Sequence, residues 1–145
     1  FGPKRDAQIV YPQVYKSNVF IGDYLRLMIL LEYGYVKEVL DETVDYFYNM
    51  AKTTGTLWEH DSTFASLNHG LTSSIFNIIC GACFGLIRID RQNKEIFLNI
   101  SRVHENAALT IPVEEGQIIL MNKKGKIEIN KPEDYQCVFL HSARI

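Results

Sequence analysis

The chain has 145 residues, of which 47% are hydrophobic and 22% charged, and its formal net charge is −2. This balance is typical of a globular chain and excludes extended disorder. A net charge this close to zero gives no electrostatic basis for binding nucleic acid or an anionic membrane. No apolar run reaches the roughly 18 residues of a membrane span. The length suits one ordinary domain or two small ones.

The sequence around the three cysteines favours a packing role over a redox, disulfide or metal-binding role. Cys80 and Cys83 form a C-x-x-C inside an apolar run, without a second such pair or a histidine pair at zinc-finger spacing. Thiols in such a run pack as small hydrophobic side chains, and the third cysteine, Cys137, makes the count odd, which argues against a disulfide framework. We therefore expect no metal and no cofactor.

The N-terminal residues 1–18 contain two prolines and little periodicity, which predicts an irregular connection. The chain begins at Phe1 without an initiator methionine, and this favours a piece of a longer protein. Any targeting segment would then lie upstream, so the compartment is left open.

Residues 20–33 predict a helix that is apolar around most of its circumference and ends at Gly34. Such a helix is buried on several sides, which implies a larger helical body than this chain supplies. Arg26 interrupts the apolar surface and needs a partner if it is buried. We expect Glu59 or Asp61 to be that partner.

Residues 36–52 predict a second, amphipathic helix, and a third runs from Asn68 or Thr72 to Cys83 and ends at Gly85. The third is apolar all round. The apolar face of the second comprises Val36, Val39, Leu40, Val44, Phe47, Tyr48 and Ala51. A buried helix beside an amphipathic one is the pairing expected of a double ring of helices.

The stretch between the second and third helices, residues 54–70, is the candidate site. It holds the only tryptophan and two of the four histidines, with a glutamate beside them. Loops carried by rigid scaffolds are where binding and catalysis concentrate. His60 and Asp61 within it are either ligand contacts or solvated loop residues.

From Leu86 onward the apolar period changes to two, which predicts short strands separated by polar turns. The predicted strands are residues 86–90, 95–100, 108–113, 117–121, 126–130 and 135–141. The predicted fold class is α+β, with helices over residues 1–84 and a small antiparallel β-sandwich over residues 85–145.

The order of these elements, together with residues 17–27 (SNVFIGDYLRL), 54–59 (TGTLWE) and 68–70 (NHG), resembles the C-terminal part of bacterial α-L-rhamnosidases of glycoside hydrolase family 78. The resemblance covers essentially the whole chain, and its most specific part is the W-E followed by the N-H. It implies the last helices of an (α/α)6 catalytic barrel followed by a C-terminal β-sandwich. It also implies an enzyme that hydrolyses terminal α-L-rhamnosides with inversion.

On this resemblance Glu59 matches the general base and His69 a residue of the sugar pocket, while the general acid lies on barrel helices that this chain does not contain. Trp58 would form an apolar wall beside the sugar, and Asn68 would contact substrate or cap the third helix. From composition alone, Glu59 as a solvated carboxylate, Trp58 as a core residue and His69 as a structural residue remain open.

The implied partners are a rhamnose-containing glycoside or polysaccharide and the remaining N-terminal part of the same enzyme. That part, or an oligomer, would cover the apolar faces of the first and third helices, which would belong to the inner ring of the barrel. The chain alone is expected to be inactive. One alternative is a carbohydrate-binding or interaction module that uses Phe97, Tyr135 and Phe139 of the β part. Another is a different (α/α)6 exo-glycosidase or lyase, which would keep Glu59 but change the sugar.

Overall fold

The computed structural model describes residues 19–100 and 106–140. Over these it contains three α-helices, one 3-10 helix and six strands, which confirms a mixed α and β composition. The chain separates into two compact units, one ending at Ile79 and the other beginning at Cys80. This boundary falls within the third helix, a few residues before the division predicted at residue 84. The predicted N-terminal connection, like His104 and His141, lies outside the described residues.

The helical elements begin and end close to their predicted positions. They are α1 (Phe20–Glu32), α2 (Val36–Thr54), a 3-10 helix (Gly70–Ser74) and α3 (Ile75–Phe84). Gly34 ends α1 with a φ of +87°, and the next amide, of Tyr35, donates to the Leu30 carbonyl at 3.0 Å. This is the Schellman arrangement that glycine permits at a helix end. None of the described helices is long and apolar enough to span a membrane.

Helices α1 and α2 are antiparallel neighbours, joined by the short turn at Gly34. The rings of Phe20 and Phe47 have their centroids 6.0 Å apart, and Arg26 forms an ion pair with Glu42. The prediction that Arg26 pairs with Glu59 or Asp61 is therefore wrong. The arginine lies at the interface between the helices, so its side chain reaches across to α2.

The buried face of α2 is narrower than predicted. Its buried residues are Val36, Val39, Thr43, Phe47 and Met50. Val44 and Tyr48, which we assigned to the apolar face, are more than half exposed. At about 100° per residue they are rotated by roughly 80° and 120° from Val36, and this carries them off the stripe that meets α1. Likewise Ile21 and Leu25 of α1 are about half exposed.

The second unit consists of two three-stranded sheets. The strands are β1 (Leu86–Asp90), β2 (Glu95–Leu98), β3 (Ala107–Val113), β4 (Gly116–Lys123), β5 (Lys126–Asn130) and β6 (Gln136–Phe139). The sheet orders are β1-β2-β6 and β3-β4-β5. All pairings are antiparallel as predicted, except that β2 and β6 run parallel. Side chains from both sheets enter one core, formed by Phe84, Ile96, Leu98, Ile118, Leu120 and Tyr135.

Two residues connect the end of α3 with the strands. Gly85 has a φ of +67°, and a Cβ atom there would lie 2.2 Å from the carbonyl oxygen of Asn99. The Asn99 amide donates to the Gly85 carbonyl at 2.7 Å. The buried Asn122 donates from Nδ2 to the Cys83 carbonyl at 2.7 Å and accepts from the Gly125 amide at 2.8 Å. Both polar atoms of the Asn122 side chain therefore have a hydrogen-bond partner, which makes burial of the amide tolerable.

Candidate active site

The loop between α2 and the 3-10 helix has a base that is closed by its own hydrogen bonds. The His69 amide donates to the Leu57 carbonyl at 2.9 Å, and the Glu59 amide donates to the Ser66 carbonyl at 3.0 Å. The Thr56 hydroxyl donates to the Leu67 carbonyl. Residues 57–59 and 66–69 are thus held side by side, and residues 60–65, here called the finger, connect them.

The start of α1 fixes the same base from another side. The Phe20 amide donates to the Glu59 carbonyl at 2.9 Å, and Val19 forms an isolated β-bridge with His60. The Glu59 backbone is therefore held on two sides, since its amide bonds to Ser66 and its carbonyl to Phe20. A side chain on such a segment is presented from a defined backbone, which is what a catalytic group needs.

Trp58 is the anchor of the loop. Its side chain is only 8% exposed and belongs to the core of the first unit. The indole Nε1–H donates to the Thr54 hydroxyl at 2.8 Å, and the buried Thr72 hydroxyl donates to the Trp58 carbonyl at 3.0 Å. The indole is therefore packed beneath the loop with its polar atom satisfied. Its predicted contact with substrate stays a prediction, and the small exposed area supports the core role.

Glu59 and His69 come together above this anchor. A carboxylate oxygen of Glu59 lies 4.0 Å from Nδ1 of His69, and their side chains are 44% and 30% exposed, respectively. The pair consists of a partly solvated base and a neighbouring hydrogen-bond donor or acceptor. Such a pair can hold a water molecule or a hydroxyl group at the surface.

His60, Asp61 and Ser62 form a second polar group on the finger. Nδ1 of His60 lies 2.9 Å from a carboxylate oxygen of Asp61 and 3.1 Å from the Ser62 hydroxyl. A nucleophilic triad needs the serine and the carboxylate on opposite ring nitrogens of the histidine. Since both meet the same nitrogen here, these three residues do not have the arrangement of a serine hydrolase.

Asn68 is exposed and is not the residue that caps the helix after the loop. The 3-10 helix has His69 at its N-cap position, without a side-chain capping bond. The alternative that Asn68 caps this helix is therefore wrong, because the first turn begins one residue later. Its predicted substrate contact stays a prediction.

Three residues of α1 and α2, namely Asp23, Thr43 and Tyr46, place polar groups in buried positions that the sequence did not single out. Asp23 on α1 is only 3% exposed, although it lies in a helix that appeared apolar. Burial, followed by the charges of Asp23 and Asp61, raises the pKa of Tyr46 on α2 to about 12. The hydroxyls of Tyr46 and Thr43 are buried without a hydrogen-bond partner in the structure. Asp23 of α1 and Asp61 of the loop are thus both close enough for their charges to act on the Tyr46 hydroxyl.

The three cysteines differ in burial: Cys80 is buried, whereas Cys83 and Cys137 are half-buried. All three are free, and burial, aided by Cys83, raises the pKa of Cys80 to about 11. A thiol with this pKa stays protonated at neutral pH and is a poor nucleophile or metal ligand. No cluster of three or more His, Cys, Asp or Glu side chains suited to a metal ion occurs in the described part of the chain.

The aromatic residues of the β unit do not form a flat exposed platform. Tyr135 is buried. The guanidinium carbon of Arg88 lies 3.9 Å from the ring centroid of Phe97, a cation–π contact that covers one ring face. Phe139 is half exposed. Of the three candidates for a carbohydrate-binding surface, only Phe139 leaves much of its ring open.

Comparison with known proteins gives no further guide to the chain. No family model, curated protein or solved structure matches it significantly. The local geometry of the loop is therefore the main structural ground for a function.

Proposed function

We propose that this chain supplies the C-terminal part of an inverting glycosidase that hydrolyses terminal α-L-rhamnosides. Glu59 acts as the general base and His69 contacts the sugar. The observation that carries the proposal is the pair itself: two partly exposed side chains, 4.0 Å apart, presented from a loop base closed by backbone hydrogen bonds. The W-E and N-H motifs of the resemblance lie at these two residues.

The chemistry of inversion fits this pair. A general base must remove a proton from water on the face of the sugar opposite the leaving group, so its carboxylate has to be accessible to water. Glu59 meets this condition at 44% exposure. His69 is close enough to share a sugar hydroxyl or the attacking water with it. The two catalytic carboxyls of inverting enzymes lie about 6.5–9.5 Å apart, and the proposal assigns the general acid to the remaining part of the enzyme.

The half-exposed apolar residues of α1 and α3 are consistent with an incomplete barrel. Ile21, Leu25 and Phe76 are each about half exposed, where further helices of an (α/α)6 barrel would cover them. The proposal therefore includes the N-terminal part of the enzyme as the partner of this surface.

The test uses the complete enzyme and a 4-nitrophenyl α-L-rhamnoside. We expect Glu59→Gln to lower kcat by roughly 10²–10⁴-fold, the usual contribution of a general base. Glu32→Gln, an exposed glutamate at the end of α1, is the matched control and should leave kcat unchanged. Proton NMR of the first product should show the β-anomer of rhamnose.

Three results bear against the proposal in different ways. Near wild-type kcat in Glu59→Gln removes the base assignment. The α-anomer as first product removes inversion. Cleavage of other aryl glycosides but not of the rhamnoside keeps Glu59 and replaces the sugar, which is the alternative of a different (α/α)6 enzyme.

A further inference from the structure

Phe64 on the finger is exposed to an extent that no other large hydrophobic residue of the described chain approaches. Its side chain is 96% exposed, whereas the other exposed ones lie between 42% and 59%. Apolar surface is driven out of water wherever a partner surface exists. A fully exposed phenylalanine ring on a loop is therefore suited to pack against a ligand or a surface that lies outside this unit.

The finger is short and its base is closed. Phe64 is two residues from Ser66, whose carbonyl accepts the hydrogen bond from the Glu59 amide at 3.0 Å. Consecutive Cα atoms are about 3.8 Å apart, so the Cα atom of Phe64 lies within about 8 Å of that of Ser66 and within roughly 15 Å of that of Glu59. The exposed ring and the candidate base thus belong to one small, braced segment.

We propose that Phe64 binds the leaving-group side of the substrate, by stacking on an aryl aglycone or on the next sugar ring. This inference rests on the proposed function. In an inverting enzyme the leaving group lies beyond the reacting carbon, next to the general acid, whose carboxyl group is about 6.5–9.5 Å from that of the base. The number of residues between Glu59 and Phe64 allows the ring to reach a group at that distance.

The chemistry of both leaving groups suits a free phenyl ring. An aryl aglycone offers a π face for offset stacking, and a sugar offers a face of C–H groups that packs on an aromatic ring. His60, Asp61 and Ser62 lie at the other end of the finger and engage one another. Because a phenyl ring carries no titratable group, Phe64 takes no part in proton transfer. Its role is that of a specificity residue for the leaving group.

The test measures the complete enzyme with three substrates that share the rhamnosyl group. They are the 4-nitrophenyl rhamnoside, a rhamnosyl-glucose disaccharide and rhamnosyl fluoride, whose leaving group is a single atom. For Phe64→Ala we expect KM to rise roughly three- to tenfold on a substrate whose leaving group stacks on the ring. The kcat/KM for the fluoride should stay unchanged. Tyr48→Ala, which removes an exposed aromatic residue from α2, is the matched control and should alter none of the three.

The outcomes separate the possible occupants. A rise in KM on the aryl substrate alone identifies an aromatic aglycone, and a rise on both larger substrates includes the next sugar; both support the proposal. Equal losses on all three substrates with a lower Tm would show that Phe64 packs against another part of the enzyme, which overturns it. Unchanged KM values overturn it as well. A wild-type enzyme that cleaves no rhamnoside would remove the proposed function itself, whatever Phe64→Ala does.

Discussion

The hydroxyl of Thr72 donates a hydrogen bond of 3.0 Å to the carbonyl oxygen of Trp58. Thr72 is completely buried at the start of the helical segment after the loop. Trp58 immediately precedes Glu59, so this single bond connects the core of the first unit to the backbone that carries the candidate base. The loop position therefore depends on a buried polar contact as well as on apolar packing.

Thr72→Val should lower the free energy of unfolding by about 1–3 kcal/mol, because it removes the donor and keeps the shape of the side chain. Thr53→Val is the control: its hydroxyl donates to the Asn49 carbonyl on the exposed side of α2, and its effect should stay within about 0.5 kcal/mol. Urea unfolding followed by tryptophan fluorescence measures both. Equal effects of the two substitutions would contradict a structural role for the Thr72 bond.

Gly85→Ala should destabilise the protein far more than Gly55→Ala. Both glycines have positive φ, +67° and +75°, but a Cβ atom at Gly85 meets the Asn99 carbonyl at 2.2 Å, while one at Gly55 meets nothing within 4 Å. Left-handed backbone costs an alanine about 1–2 kcal/mol, and the overlap at Gly85 adds roughly 1–3 kcal/mol more. Urea unfolding of both variants gives the difference, and similar values would show that β1 and Asn99 yield to the methyl group.

Tyr46→Phe should change the response of stability to alkaline pH. Burial and two nearby carboxylates raise the pKa of Tyr46 to about 12 from its ordinary value of 10.0. The folded protein therefore keeps this proton after the unfolded chain has begun to lose it. Since the unfolded state then binds fewer protons, stability falls as pH rises from about 10 to about 12. The variant should lack this part of the decline.

At neutral pH the same variant should be as stable as the wild type or more stable, because the hydroxyl that it removes is buried without a partner. Urea unfolding at pH 8 and pH 11 gives the comparison for both proteins. A clear loss of stability at pH 8 would mean that the Tyr46 hydroxyl has a bonding partner in solution.

The bounds of most elements could be predicted from the sequence because each break has a local cause. Gly34, Gly55 and Gly85 each adopt positive φ at a helix end, and polar turns separate the strands. The parallel pairing of β2 with β6 could not be predicted, because β6 is about 40 residues further along the chain and strand partners depend on the whole sheet.

The polar residues inside the first unit also escaped prediction. Asp23, Thr43 and Thr72 are buried, whereas a hydrophobic pattern assigns polar residues to the surface. The proximity of Glu59 and His69 followed from the motif, while the inward packing of Trp58 was one of two readings that composition left open. The burial of Trp58 in the core of the first unit supports the inward packing, and the Thr54 and Thr72 hydroxyls that bond to it reach the tryptophan only in the folded chain.

The closed base of the loop fixes the positions of Glu59 and His69 independently of the length and sequence of the segment between them. The hydrogen bonds between residues 57–59 and 66–69, with the bridge between Val19 and His60, leave residues 61–65 as a segment whose length can change without moving the residues at either side of the base. Loop-closure entropy grows only slowly with added residues, so insertions in this segment are cheap. Evolution, or a protein engineer grafting new sequences here, can therefore vary what the loop touches while Glu59 and His69 keep their mutual spacing.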